Sequence, residues 1–197
     1  SGVEICKSVG IEATKVLDPT FLINREDYLD LIGEPIERKK QIFIYSLNIS
    51  SPEQIRWKEL KQYAKEKGLK ITVTPSQGYF AGDELFGNEV EYLYATPQQW
   101  LKTIAESELV VTPSFHGVVL SIILGTPFVY VPLKGAHESG NLRILDLLED
   151  LSLNNRVLGD NQQYESIVSE KIDWESISKS LMNYKESSYS YLKSCGI

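Results

Sequence analysis

The sequence has 197 residues, of which 42% are hydrophobic and 24% are charged, and its formal net charge at pH 7 is −7. This length is typical of one domain with an ordinary hydrophobic core. The acidic balance argues against general nucleic-acid binding, and the longest apolar run is far shorter than the roughly 20 residues that span a membrane. The first residues lack the basic and long apolar segments of a secretory signal, so we expect none.

The two cysteines, Cys6 and Cys195, lie at opposite ends of the sequence and do not have the spacing of metal ligands. A disulfide between them stays open, but two free thiols in a cytosolic protein is the favoured interpretation. We therefore expect a cytoplasmic protein, free or at the inner face of the membrane, with no metal site.

The first half of the sequence alternates strand and helix patterns. The predicted elements are a strand at Lys15–Leu17, a helix at Asn24–Ile32, a strand at Gln41–Leu47, a helix at Ser51–Lys67 and a strand at Leu69–Thr74. The strand at Gln41–Leu47, with the sequence QIFIYSL, is expected to be buried.

A loop rich in glycine and aromatic residues follows, from Pro75 to Asn88, and contains Tyr79 and Phe80. Long loops at the carboxyl end of a strand are often functional. The alternative is that the aromatic rings pack against the edge of the domain, and the sequence leaves both interpretations open.

The second half continues the alternation. The predicted elements are a short strand at Val90–Ala95, a helix from Thr96, a strand at Glu108–Thr112, a helix at Phe115–Leu124, a strand at Phe128–Val131, a helix at Leu142–Leu151, an edge strand at Arg156–Leu158 and a terminal helix at 173–194. This order predicts an α/β fold: a Rossmann-like parallel sheet with helices on both faces and right-handed crossovers.

The segment TPSFHG, between the predicted strand that ends at Thr112 and the next helix, contains the first candidate site. Ser114 is a suitable N-cap, and His116 lies in the first helical turn, just beyond the carboxyl end of a strand. Ligands of open α/β sheets bind at this edge, and first-turn N–H groups attract anions. His116 can hold an anion or transfer a proton. Alternatively, it caps a turn or packs under Phe80.

Three further polar residues follow the next strand and should reach the same sheet edge: Lys134, Asn141 and Arg143. Arg143 can bind a carboxylate or phosphate with two parallel hydrogen bonds, whereas Lys134 supplies a mobile point charge. The alternative is that both cations are solvated in a surface loop. His137, in the same loop, is expected to be simply exposed.

Several common functional motifs are missing. The sequence contains no GxGxxG dinucleotide fingerprint, no GxxxxGK[ST] phosphate loop and no GxSxG nucleophile turn. Ser114 and His116 are too close in sequence at a helix start to form a nucleophile–base pair. The chemistry must therefore come from another arrangement.

The ordered set of segments VLDPTFL, QIFIYSL, GYF, TPSFHGVVLSIILGTPFVYV and GNLRILDLLEDLSL resembles the carboxyl-terminal half of the polysaccharide pyruvyl transferase family. The resemblance implies one of the two Rossmann-like halves of a GT-B glycosyltransferase fold. It makes residues 1–197 a single donor-binding domain excised from a two-domain enzyme, whose amino-terminal domain would be the missing partner.

The resemblance also implies an activity. The family moves the pyruvyl group of phosphoenolpyruvate, its donor substrate, onto a sugar of a bacterial surface polysaccharide and forms a pyruvate ketal, with no cofactor. The acceptor would be a glycan or a lipid-linked sugar.

The resemblance assigns His116 as the catalytic residue. It assigns the donor-binding residues as Ser114, Phe115, Gly117, Lys134, Asn141 and Arg143. Many relatives have an aspartate where this chain has Pro113, so the role of that carboxylate is missing. Two other functions stay open: a GT-B-type glycosyltransferase domain that uses a nucleotide sugar, and a non-catalytic binding module.

Overall fold

The computed structural model describes residues 2–75 and 85–196 of the chain. Its helices are α1 (Gly2–Ser8), α2 (Pro19–Leu22), α3 (Arg25–Ile32), α4 (Trp57–Lys67), α5 (Pro97–Glu106), α6 (Phe115–Leu124), α7 (Asn141–Asp150), α8 (Tyr164–Ser169) and α9 (Trp174–Ser194). Its strands are β1 (Lys39–Tyr45), β2 (Lys70–Thr74), β3 (Glu91–Tyr92), β4 (Ser107–Thr112) and β5 (Phe128–Tyr130).

The five strands form one sheet in the order β3-β2-β1-β4-β5, and every neighbouring pair is parallel. The chain therefore builds outward from β1 to β3 and then returns to the other side of β1 with β4. This arrangement confirms the predicted α/β fold with a Rossmann-like parallel sheet.

The core consists of two layers, one on each face of the sheet, because successive strand side chains point to opposite faces. On β1, Phe43 packs in the layer formed with α5 and α6, whereas Ile42 and Ile44 pack in the layer that contains α4 and α8. All three are fully buried. Each contributes about 1.5–3 kcal/mol by leaving water, which explains the three consecutive apolar residues at the centre of this strand.

Local capping determines where the main helices begin and end. The Ser114 hydroxyl accepts a hydrogen bond from Gly117 N–H at the start of α6, and Gly125, with φ 69°, ends that helix in the left-handed conformation. Asp173 caps α9 by accepting from Ser176 N–H at 3.0 Å. The predicted starts of both helices are confirmed.

Two predictions for the first half are wrong. Lys15–Leu17 is not a strand: Leu17 N–H donates to Ser188 Oγ at 2.9 Å, so α9 holds this segment outside the sheet. The helix predicted from Ser51 to Lys67 is interrupted at Arg56, whose φ is 52°, and a 3₁₀ turn precedes α4. The Arg56 guanidinium donates to the carbonyl of Gly159 at 3.1 Å, a tertiary contact that the local sequence does not reveal.

The edge strand predicted at Arg156–Leu158 is reduced to one bridge, between Tyr130 and Val157. A 3₁₀ turn ends at Arg156, and its buried guanidinium donates to Glu170 O at 2.9 Å. This contact draws the segment toward α8 instead of along β5. Residues 76–84, which form most of the predicted aromatic loop with Tyr79 and Phe80, lie outside the described residues.

Within the described ranges, no helix combines the length and the apolar character needed to cross a bilayer.

Candidate functional site

The strand order creates a switch point between β1 and β4, because the chain leaves these two neighbouring strands in opposite directions. Ligands of open α/β sheets bind in the crevice beyond the carboxyl ends of such strands. Thr112, the last residue of β4, connects the two sides. Its hydroxyl donates to Tyr45 O at 3.0 Å and accepts from Ser114 N–H at 3.1 Å. The TPSFHG turn is thereby fixed at the switch point.

The start of α6 is tightly constrained. Ser114 is buried, and its hydroxyl accepts from Gly117 N–H at 3.3 Å. A Cβ on Gly117 would lie 2.8 Å from both Cγ2 and Oγ1 of Thr112, so only glycine fits there. These two predicted donor-binding residues shape the turn. In the described residues, the N–H groups of Phe115 and His116 have no hydrogen-bond acceptor, so they are available to an anion.

The structure brings Phe115, His116 and Arg143 together. The Phe115 ring is buried, and the exposed imidazole of His116 lies beside it, with ring centroids 5.5 Å apart and planes at 84°. Arg143, on α7, places its guanidinium carbon 4.3 Å from the centroid of the same ring. Neither His116 nor Arg143 forms a side-chain hydrogen bond or ion pair with any described residue. The arrangement is therefore an imidazole and an uncompensated cation around one aromatic ring.

Asn141, predicted to bind the donor, is buried and holds the loop after β5. Its Oδ1 accepts from Tyr130 Oη at 2.7 Å and from Leu133 N–H at 3.0 Å, and its Nδ2 donates to Leu133 O at 2.8 Å. Burial raises the pKa of the Tyr130 hydroxyl, while the nearby positive charge of Arg143 acts in the opposite direction. Asn141 thus fixes the start of α7 and with it the position of Arg143.

Lys134 lies apart from this group. Its side chain is 80% exposed, and its ammonium nitrogen lies 3.8 Å from Oδ1 of Asp160. It lines a cleft of about 510 Å³ together with Ser51, Gln54 and Pro132, between the loops after β1 and β5. His137 is exposed in a 3₁₀ turn, as predicted.

The loop after β1 is a part of the site that the sequence reasoning missed. Asn48 follows β1 at the switch point and has φ 60°, a left-handed conformation that asparagine adopts more readily than most residues. An asparagine directly after a buried strand, in SLNISSP, was the available signal. This loop follows β1, the strand that pairs with β4 directly before the His116 turn.

A family model described as "Polysaccharide pyruvyl transferase" matches residues 2–134 of the chain. The chain belongs to this family. The matched region contains the Ser114–Gly117 turn and ends at Lys134, so the placement of Asn141 and Arg143 beside that turn is information from the structure. No curated protein sequence matches this pyruvyl transferase family member.

Solved structures that resemble this family member include UDP-GlcNAc 2-epimerases, which have the GT-B fold. The enzyme from Methanocaldococcus jannaschii, in complex with UDP-GlcNAc and UDP, has a TM-score of 0.56 and 13% identity over 91% of this chain and 52% of that chain. The enzyme from Rickettsia bellii has a TM-score of 0.43 and 16% identity over 88% of this chain and 50% of that chain.

The similarity to the first of these structures shows only that the fold is shared. This fold agrees with the one that the sequence resemblance implies. The chain spans about half the length of the solved structures that it matches.

Proposed function

We propose that this chain is the donor-binding half of a pyruvyl transferase that moves the pyruvyl group of phosphoenolpyruvate onto a sugar of a bacterial surface polysaccharide. In this proposal an amino-terminal domain faces it across a cleft, and the acceptor is a glycan or a lipid-linked sugar. The reaction takes place in the cytoplasm.

One observation supports this proposal above the others: His116 and Arg143 lie on the same buried ring, at the anion-attracting start of α6. Phosphoenolpyruvate has a carboxylate, a phosphate and a reactive methylene carbon. Arg143 and the two available N–H groups of α6 suit the anionic groups, because charge-assisted hydrogen bonds to such groups are strong. The imidazole suits the proton transfer.

The chemistry balances with these residues alone. A proton from His116 adds to the methylene carbon, and a sugar hydroxyl forms a bond to the neighbouring carbon. A second hydroxyl then displaces phosphate from that carbon, which yields the ketal and inorganic phosphate. Of the two hydroxyl protons, one restores His116 and the other leaves with the phosphate. Arg143 and the N–H groups stabilise the charge on the departing phosphate.

The test is titration of the complete native protein with phosphoenolpyruvate, followed by NMR of the imidazoles. These 197 residues contain two histidines, His116 and His137, whose resonances are assigned from the variants His116→Ala and His137→Ala. We expect saturable shifts of the His116 resonances while those of His137 stay constant. Unchanged His116 resonances at saturating donor would argue strongly against the proposal.

The second candidate is a glycosyltransferase domain that uses a nucleotide sugar. It is favoured by the fold shared with an epimerase solved with UDP-GlcNAc and UDP. Calorimetry separates the two candidates. Binding of phosphoenolpyruvate but not UDP supports the pyruvyl transferase, whereas binding of UDP but not phosphoenolpyruvate supports the glycosyltransferase. A non-catalytic binding module would retain full binding with no turnover of either donor.

A further inference from the structure

The Phe115 ring makes two different contacts with the two candidate functional side chains. The guanidinium of Arg143 lies over the ring, 4.3 Å from its centroid. The imidazole of His116 lies nearly perpendicular to it, at 84° and 5.5 Å. The ring itself is only 8% exposed and belongs to the core layer with Val119 and Ile144. Packing therefore holds in place a ring that contacts both side chains.

We propose that Phe115 is a positioning residue, whose ring fixes the separation of the Arg143 cation from the His116 imidazole. This inference rests on the proposed function: the cation binds an anionic end of the donor, and the imidazole then faces the methylene carbon. Ser114 and Gly117 set the backbone of the turn, and Asn141 sets the start of α7. The ring connects the two elements through its contacts with both reacting side chains.

The physical reason is preorganisation. An exposed arginine samples many rotamers, and binding a ligand costs that freedom. Stacking on an aromatic face limits the rotamers beforehand and leaves the N–H donors in the guanidinium plane open to an anion. A lysine at position 143 would retain the charge and lose the planar contact, so the two residues are not equivalent here.

The alternative is that Phe115 only fills the core. Core filling depends on volume, whereas positioning depends on the aromatic face. Phe115→Leu removes the face while it keeps an apolar side chain, and Phe115→Tyr keeps the face. Phe128→Leu is the matched control, because Phe128 is equally a buried phenylalanine but begins β5, at the opposite end of the sheet from the site.

The experiment measures KM for phosphoenolpyruvate and kcat, by phosphate release, in the complete native protein. We expect Phe115→Leu to raise KM about tenfold, because the stacking contribution and the rotamer restriction are both lost. Phe115→Tyr retains the aromatic face, so its KM for phosphoenolpyruvate should stay close to that of the wild type. Arg143→Lys should raise KM by a similar factor. In the double variant the two factors should not multiply, since each change removes the same contact.

Equal kinetics for Phe115→Leu and Phe128→Leu would overturn the inference, as would multiplication of the two factors in the double variant. If Phe115→Leu does not fold, the test is Arg143→Lys, which should fold because Arg143 is exposed. An unchanged KM for phosphoenolpyruvate in this variant would contradict the inference. In the free protein, the Arg143 Nε–H resonance should move when the ring is removed but not in Phe128→Leu. This NMR signal is measured without the donor, so it tests the contact between the ring and Arg143 by itself. If the proposed function is wrong, the wild type does not bind phosphoenolpyruvate. The two failures therefore give different results.

Discussion

The hydroxyl of Tyr130, at the end of β5, donates a hydrogen bond of 2.7 Å to the amide oxygen of Asn141, the first residue of α7. With the two bonds between Asn141 and Leu133, this contact closes the loop after β5 upon the helix that carries Arg143. One buried amide therefore connects the sheet edge to the candidate site.

Replacing this amide should destabilise the protein. Asn141→Ala leaves Tyr130 Oη and Leu133 N–H without their acceptor in a buried place, and each buried unsatisfied group costs about 1–3 kcal/mol. We expect urea unfolding to show that the free energy of unfolding falls by about 2–4 kcal/mol. Asn161→Ala, at an exposed position, is the control and should stay within about 0.5 kcal/mol of wild type. Equal stabilities of the two variants would contradict the role given to Asn141.

The turn before α6 should not accept a side chain at position 117. In Gly117→Ala the new Cβ would lie 2.8 Å from the side chain of Thr112, which itself holds β1 and the turn together. We expect thermal unfolding to reveal a loss of about 1–3 kcal/mol, the usual cost of overpacking. The control is Gly140→Ala, where no atom lies within 4 Å and φ is −68°, so stability should hardly change. A stable Gly117→Ala variant would show that the turn is less confined than described.

The two histidines offer a matched pair, since both are exposed and only His116 lies at the switch point. His116→Ala should lower kcat by about 10²- to 10⁴-fold, the range for a lost acid–base group, with little change in stability. His137→Ala should leave kcat unchanged. The measurement is phosphate release at saturating phosphoenolpyruvate. Turnover that survives His116→Ala unchanged would exclude His116 as the acid–base group.

Stability should fall in alkali, because burial raises the pKa of the Tyr164 hydroxyl above its ordinary 10.0, and the nearby Glu59 charge raises it further. Above about pH 10 the unfolded chain loses this proton while the folded chain keeps it. The contribution of the Tyr164 hydroxyl to the free energy of unfolding is fully present below about pH 10. Above that pH the free energy of unfolding declines by up to about 1.4 kcal/mol per pH unit. Urea midpoints between about pH 9 and 11 should show the decline.

Tyr164→Phe should make that decline shallower, although it costs about 1 kcal/mol at neutral pH because the hydroxyl donates to Ile55 O at 2.8 Å. Tyr189→Phe, on the exposed part of α9, should leave the alkaline slope as it is. A slope that is identical in all three proteins would exclude Tyr164 as its source.

The sequence by itself determined the features that depend on neighbours along the chain. Short runs of apolar and β-branched residues placed β1 and β4, and a capping serine with a terminal glycine placed α6. The sequence pattern therefore assigns His116 to a helix start at the carboxyl edge of the sheet.

Only the tertiary structure decided which distant side chains meet. Arg143 stacks on Phe115 because α6 and α7 pack together. Asn141 accepts hydrogen bonds from Tyr130 and Leu133. Arg56 breaks a predicted helix because its side chain reaches Gly159. Caps and burial patterns are set within a few residues, whereas these contacts form only after separate elements are packed. The chemistry of the site depends on that packing.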